Sequence, residues 1–276
     1  MGHQLKRFAG DAVNTWFTMP KSQALRWYGA VLRHAPTILR ERKFYSADRE
    51  MRGTLRFRLL ERDFNIDVDS ISGNPYAFLR EFFVRQIYFR QFKQLSFDTC
   101  LDLGCNTGIV SSLLRQMTGP QGKVVGVDPL TYPDNAFRAR AAATPGITLH
   151  QGVLCGESLR HDPAALIAMC APYGFDTNLA ITVEELIQLY GLPNVDFLKM
   201  DIEGAEFDIF RDSVRWLDGV DNLAMEVHNN AGNPEAIIHR LQQRGFRVKW
   251  LDDAGYPTDP RTAGYIYASK VGSLKD

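Results

Sequence analysis

The chain has 276 residues, 45% of them apolar and 23% charged, with 32 Lys+Arg balanced by 32 Asp+Glu. That is enough sequence for one full α/β domain and a smaller companion, and the composition excludes wholesale disorder. No apolar run reaches the roughly 18–20 residues that a membrane-spanning helix needs, and residues 1–20 lack the apolar centre of a secretory leader. Cys100, Cys105, Cys155 and Cys170 form no C-x-x-C pair and no zinc spacing, so free thiols in a reducing cytoplasm are expected.

Charge is unevenly distributed. Residues 1–92 hold 16 Lys+Arg against 9 Asp+Glu, and the remainder 16 against 23. Such a split suits a basic face that meets an anionic substrate, or two halves that neutralise each other across a domain or subunit contact. No basic run is dense enough to signal nucleic acid. No repeat or low-complexity tract is evident.

Residues 22–43 read as helical, with Leu25, Tyr28, Val31 and Leu32 near one face and Pro36 as a break. Residues 54–68 read as strand-like, Leu55, Phe57 and Leu59 alternating with Arg56 and Arg58. The Ser72-Gly73-Asn74-Pro75 cluster is a turn, and residues 76–93 form an aromatic-rich helix whose rings suit a core. From Phe97 the rhythm changes. Strands are expected at 98–103, 123–128, 147–152, 195–200, 222–228, 246–251 and 263–269, and helices at 107–117, 134–143, 182–190, 203–212 and 234–244. Alternation of this kind predicts a mostly parallel sheet covered on both faces, closed by an antiparallel last strand after the Asp252–Pro257 turn.

The first of these strands runs into Asp102-Leu103-Gly104-Cys105-Asn106-Thr107-Gly108. In an open parallel sheet, ligands lie beyond the carboxyl ends of the strands where strand order reverses. Gly104 and Gly108 permit positive φ and close backbone approach. The spacing is G-x-N-x-G and lacks the G-x-G-x-x-G of a dinucleotide fold, which disfavours a nicotinamide dehydrogenase. S-adenosylmethionine has no pyrophosphate but a charged amino-acid end, whose ammonium Asp102 is suited to meet; the alternative is an ordinary turn with Asn106 as a helix cap. Asp128, ending the second strand about twenty residues past the glycines, is placed for ribose hydroxyls. Gly152 and Val153, after the third strand, are placed for the adenine.

The fourth strand ends in Asp196-Phe197-Leu198-Lys199-Met200-Asp201-Ile202-Glu203-Gly204-Ala205-Glu206. Together with the glycine turn it resembles the FkbM family of methyltransferases, whose members pair D-x-G-x-N-x-G with D-F-x-K-x-D-x-E-G-x-E. Glu226-Val227-His228 fits that family's acid-x-His strand end, and Tyr76, Arg80, Glu81 and Tyr88 resemble its upstream segment. The resemblance covers about residues 95–250. Asp128 departs from it, since many members carry Glu there, and residues 1–50 and 155–180 match nothing in it. It implies a Rossmann-type class I methyltransferase fold, S-adenosylmethionine as cofactor, and O-methylation of a small molecule or sugar in a natural-product or polysaccharide pathway.

An alcohol is a poor nucleophile at neutral pH, so transfer to it needs a base or a divalent metal. His228 and Asp201 are the candidate proton-handling residues. Glu226 is a candidate to orient His228 or to pair with Lys199. Asp201, Glu226 and His228 also compose a donor set that would take a divalent cation, an open choice at this point. Asp201 has a second reading as the cap of the helix after its strand, with Glu203 and Glu206 favoured by that helix's dipole.

Residues 1–92 are expected to form a mainly helical cap that recognises substrate, with homo-oligomerisation through this region as an alternative use, and residues 93–276 the cofactor-binding domain. A nucleic-acid methyltransferase is disfavoured by the absence of an N-P-P-[YF] segment. A non-catalytic cofactor-binding module is disfavoured by acids at four strand ends.

Overall fold

The computed structural model describes residues 2–71, 74–93, 95–130 and 136–276. The expected turn residues Ser72 and Gly73, and the first two residues of the helix expected at 134–143, lie outside them. The chain divides into two compact units, residues 1–90 and 91–276. Phe92 belongs with the second, where its ring packs 5.8 Å from Phe197 and 6.1 Å from Tyr267.

The first unit holds α1 (Gly2–Thr18), α2 (Lys21–Arg33), α3 (Ala35–Glu41), α4 (Tyr45–Asp48), β1 (Thr54–Leu59), β2 (Arg62–Asp67) and α5 (Pro75–Leu79). The segment read as a single strand is a hairpin. Leu55, Phe57 and Leu59 do point inward, but Leu60 and Glu61 form a two-residue turn with φ of 47° and 62°. Both residues are left-handed, the conformation such a turn demands; the Asn or Gly that usually announces it is missing from the sequence. The helix expected over 76–93 also ends early. After α5 the residues Arg80–Val84 widen into a π-turn, and Gln86 at φ 53° ends the run.

Its aromatics are core, as expected: Tyr76, Phe82, Phe83 and Phe89 are fully buried. Inside them lies an ionic group. Arg80 bridges Asp11 (2.5 Å) and Asp48 (2.9 Å), and Trp27 donates its indole N–H to Asp48 at 3.0 Å. Burial drives the Asp48 carboxyl upward, against the pull of Arg80. On α2 the inward residues are Ala24, Trp27 and Ala30. Leu25 and Leu32, expected on the packed face, are 58% and 76% exposed.

The second unit runs β3 (Thr99–Leu103), α6 (Ile109–Met117), β4 (Lys123–Asp128), α7 (Ala136–Ala143), β5 (Ile147–Gln151), β6 (Val153–Leu154), α8 (Glu157–Arg160), α9 (Pro163–Cys170), β7 (Ala180–Ile181), α10 (Val183–Leu189), β8 (Val195–Met200), α11 (Glu206–Arg211), β9 (Val220–Glu226), α12 (Pro234–Gln243), β10 (Arg247–Leu251) and β11 (Tyr265–Ser269). All seven expected strands form one sheet, ordered β10-β11-β9-β8-β3-β4-β5. β3, β4, β5, β8 and β9 pair in parallel, and β11 runs antiparallel between β9 and β10. This is the Rossmann-like methyltransferase arrangement that the sequence implied. Leu101, Leu103, Leu198 and Met200 are fully buried, as strands covered on both faces require. β6 and β7, a short parallel pair, and α8 and α9 were not foreseen; they occupy the stretch that matched no pattern. The four cysteines are buried and form no disulfide. Among the described residues no helix is long and apolar enough to cross a membrane.

The sheet order reverses between β3 and β8, which are neighbours although four strands lie between them in the chain. Their carboxyl ends, Leu103 and Met200, lie directly opposite each other. A crevice opens there because the connections leave in opposite directions.

Candidate active site

Two loops meet at this reversal point. The turn after β3 is left-handed at Gly104 (φ 80°), Asn106 (47°) and Gly108 (83°), and the loop after β8 at Glu203 (55°) and Gly204 (105°). They touch at the backbone. Asp201 donates its N–H to Leu103 O at 2.9 Å, and a Cβ on Gly104 would lie 1.7 Å from Asp201 O. Glycine at 104 is therefore set by contact as well as by dihedral.

The glycine turn is held from below and from the side. Asp102 is fully buried; Ser111 Oγ donates to its Oδ2 at 2.6 Å, and Lys199 Nζ lies 3.2 Å from Oδ1. Lys199 also donates to Gly104 O at 2.8 Å. Burial works to lower the Lys199 pKa, but Asp102 and Asp201 outweigh it and the net shift is upward. Asp102 thus braces the turn; it lacks the exposed surface that direct contact with an ammonium group requires. Asp128 accepts the Asn106 N–H at 2.8 Å and the Leu130 N–H at 2.9 Å, tying the ends of β3 and β4 together. Asn106 is exposed at the lip, Gly104 partly exposed and Gly108 buried. Gly108 starts α6 against Ala141 and Leu149 without a side-chain cap, so Asn106 is not that helix's cap. Gly152 and Val153 turn inward: the Gly152 N–H meets Asp128 O at 3.1 Å, and Val153 pairs with Ala180.

Across the reversal point, Asp201 is not a helix cap. α11 begins at Glu206, and its N-cap is Ala205, with no side-chain hydrogen bond. Residues 201–204 are loop. His228, two residues beyond β9, places Nδ1 2.9 Å from Glu206 Oε1 and Nε2 3.4 Å from Glu203 Oε2. Glu206 is fully buried and also accepts the Ile202 N–H at 3.4 Å. The hydrogen bond to Glu206, reinforced by the charges of Glu206, Asp201 and Glu203 against partial burial, raises the His228 pKa to about 9. One donor atom each from Asp201, Glu203 and His228 lies within 4.8 Å of the others.

Two expectations change here. The carboxylate that fixes the His228 ring is Glu206, and the carboxylate buried against Lys199 is Asp102; the sequence reading offered Glu226 for both. Glu226 ends β9 opposite Tyr265 and is half-buried. Glu203 and Glu206 were visible in the motif but were read as dipole partners of a helix that starts later than expected. The signal for their role was their place beside Asp201, since a chain leaving a strand end as loop turns its side chains to the same crevice.

Parts of the chain are similar to known proteins. Residues 177–248, which include Asp201, Glu206 and His228, match the family model of the methyltransferase FkbM domain. Over 113 residues the chain is 34% identical to the 2-phytyl-1,4-naphtoquinone methyltransferase of Thermosynechococcus vestitus, a match covering 41% of this chain and 40% of that protein. The chain therefore spans about two-fifths of the length of the curated relative it matches. Among solved structures it is similar to methyltransferase FkbM from Methylobacillus flagellatus KT (14% identity, 73% of this chain, 56% of that one, TM-score 0.40). It is also similar to precorrin-6y C5,15-methyltransferase from Geobacter metallireducens GS-15 (13%, 67%, 86%, TM-score 0.39). The FkbM domain model thus matches the segment that carries the Asp201 and His228 loops.

Proposed function

We propose that this protein is an S-adenosylmethionine-dependent O-methyltransferase acting on a hydroxyl of a small molecule or sugar. One observation carries the reading: the glycine turn and the Asp201 loop are in backbone contact, so a cofactor cradled by one presents its reactive end to the other. The residues fit that cofactor. Position 104 lacks a side chain in a partly exposed turn, and Asp128, at the end of the neighbouring strand, is a carboxylate of the kind that accepts ribose hydroxyls. Asn106 and Asp128 would hold the cofactor, and Asp102 and Lys199 would brace the turn beneath it. When bound, S-adenosylmethionine supplies an electrophilic methyl group.

The acceptor hydroxyl must lose its proton as it attacks. Asp201, partly exposed at the crevice, takes that proton. His228, held by Glu206 and carrying its own proton at neutral pH, puts positive charge beside the oxygen as it becomes negative. A second reading has its own observation: the Asp201, Glu203 and His228 donors are close enough to share a divalent cation, an oxygen and imidazole set that does not select one ion strongly. The test is mass spectrometry of S-adenosylhomocysteine release over a panel of hydroxylated acceptors, with and without EDTA. Turnover that survives EDTA supports the Asp201 reading, turnover lost to EDTA supports the cation, and cofactor binding with no hydroxyl acceptor turned over removes the O-methyl assignment.

A further inference from the structure

α2 and α3 meet end to end at His34, which closes α2 by donating its N–H to Ala30 O at 3.0 Å and opens α3 by accepting the Ile38 N–H at 2.9 Å. Along these two helices the pair Leu-Arg recurs every seven residues: Leu25-Arg26, Leu32-Arg33, Leu39-Arg40. Seven residues fall about 20° short of two full turns, so the three leucines form one slightly drifting stripe with the arginines in a parallel row. The leucines are 58%, 76% and 77% exposed. A single exposed leucine needs no explanation; three at a fixed helical period do.

The surroundings are cationic. Residues 21–43 hold six Lys+Arg and one acid, Glu41. Glu50 answers Arg33 and His34, and Glu41 answers Arg40 at 3.3 Å. Arg26 spends its donors on the carbonyls of Arg52 and Glu50, at 3.0 and 2.7 Å, which leaves its charge unopposed by those bonds. A second copy of the chain would be a poor occupant of the stripe. An antiparallel two-fold pairing of these helices would set the arginine row of one beside that of the other.

We propose that the α2–α3 face docks on an anionic lipid surface. The leucines enter the boundary of the acyl chains, and the arginine stems lie along it with their guanidinium groups at the phosphate level. The proposal rests on this face alone and is independent of the reaction assigned to the crevice. The test is co-sedimentation of the full chain with neutral phosphatidylcholine vesicles and with vesicles also containing phosphatidylglycerol, at low and high salt. Binding is expected to the anionic vesicles, weakened by salt. In L32E/L39E it should fall by at least about tenfold, from lost apolar burial and added negative charge. Both leucines already face solvent, so the variant should keep its melting temperature. Absence of binding to anionic vesicles, equal binding to neutral ones, or unchanged binding by a folded L32E/L39E overturns the proposal. So does a dimer in light scattering that the variant abolishes while the wild type ignores vesicles.

Discussion

Lys199 Nζ lies 3.2 Å from Asp102 Oδ1, with 2% and 0% of the two side chains exposed. They are paired in register on neighbouring strands β8 and β3, one residue before the last residue of each strand. The pair therefore clamps the two loops of the crevice from inside the sheet. Burying two charges is costly in itself, but removing one partner is worse, because the other is left alone in the core. Lys199→Met should destabilise the fold by about 3–5 kcal/mol. The double change Asp102→Asn/Lys199→Met should cost less than Lys199→Met alone. Urea denaturation checks both, and additive costs would mean that the pair does not act as a unit.

The contact between Gly104 and Asp201 gives a second test. Gly104→Ala meets both a positive φ of 80° and a carbonyl at 1.7 Å. Gly174 has a similar φ of 66° with nothing near its Cβ position. Gly174→Ala should cost only the dihedral strain, about 1–2 kcal/mol. Gly104→Ala should cost clearly more and should weaken S-adenosylhomocysteine binding by calorimetry. Equal costs would show that the loops are not in register-setting contact.

Much of this was legible in the sequence, and the misses share a cause. The strands of the second unit were readable because buried parallel strands are short apolar runs between turns, as in Val195–Met200. The glycine turn was readable because its φ values exclude most side chains. What failed was pairing at a distance. No local signal says that Lys199 finds Asp102 and not Glu226, since their approach depends on β8 lying against β3. Nor does periodicity distinguish the two faces of α2, where Trp27 and two alanines pack inward and the leucines do not. The Leu60-Glu61 turn was invisible because its left-handed residues are not of the usual type, so tertiary packing of Phe57 and Phe64 must enforce it.

Asp201→Asn separates chemistry from structure. The side chain keeps its size, and the structure gives it no capping duty on α11. Lys199 loses the Asp201 charge at 3.9 Å but keeps Asp102 at 3.2 Å, so the stability cost should be well below that of Lys199→Met, while kcat falls by about 10²-fold or more. Near-normal turnover would move proton removal away from Asp201.

The last prediction concerns the charge on His228. Its hydrogen bond to the buried Glu206 is the leading cause of a pKa raised to about 9. NMR titration in EDTA should therefore find a histidine near that value, and Glu206→Gln, which keeps shape and removes charge, should drop it toward the ordinary value of about 6.5. Stability follows. A group whose pKa is higher in the folded state binds its proton more tightly there, so its contribution is complete below about pH 6.5 and is lost as pH rises through 9. The wild type should lose melting temperature across that window, and Glu206→Gln should flatten the loss. Catalysis gives the deciding readout. If Asp201 takes the proton and the imidazolium stabilises the oxygen, kcat/KM stays level through neutral pH and falls as His228 is discharged near 9. If His228 is itself the base, kcat/KM climbs toward 9 instead. The Glu206 contact favours the first profile, because a ring held this firmly in its protonated form is a poor acceptor at pH 7 and a ready source of positive charge.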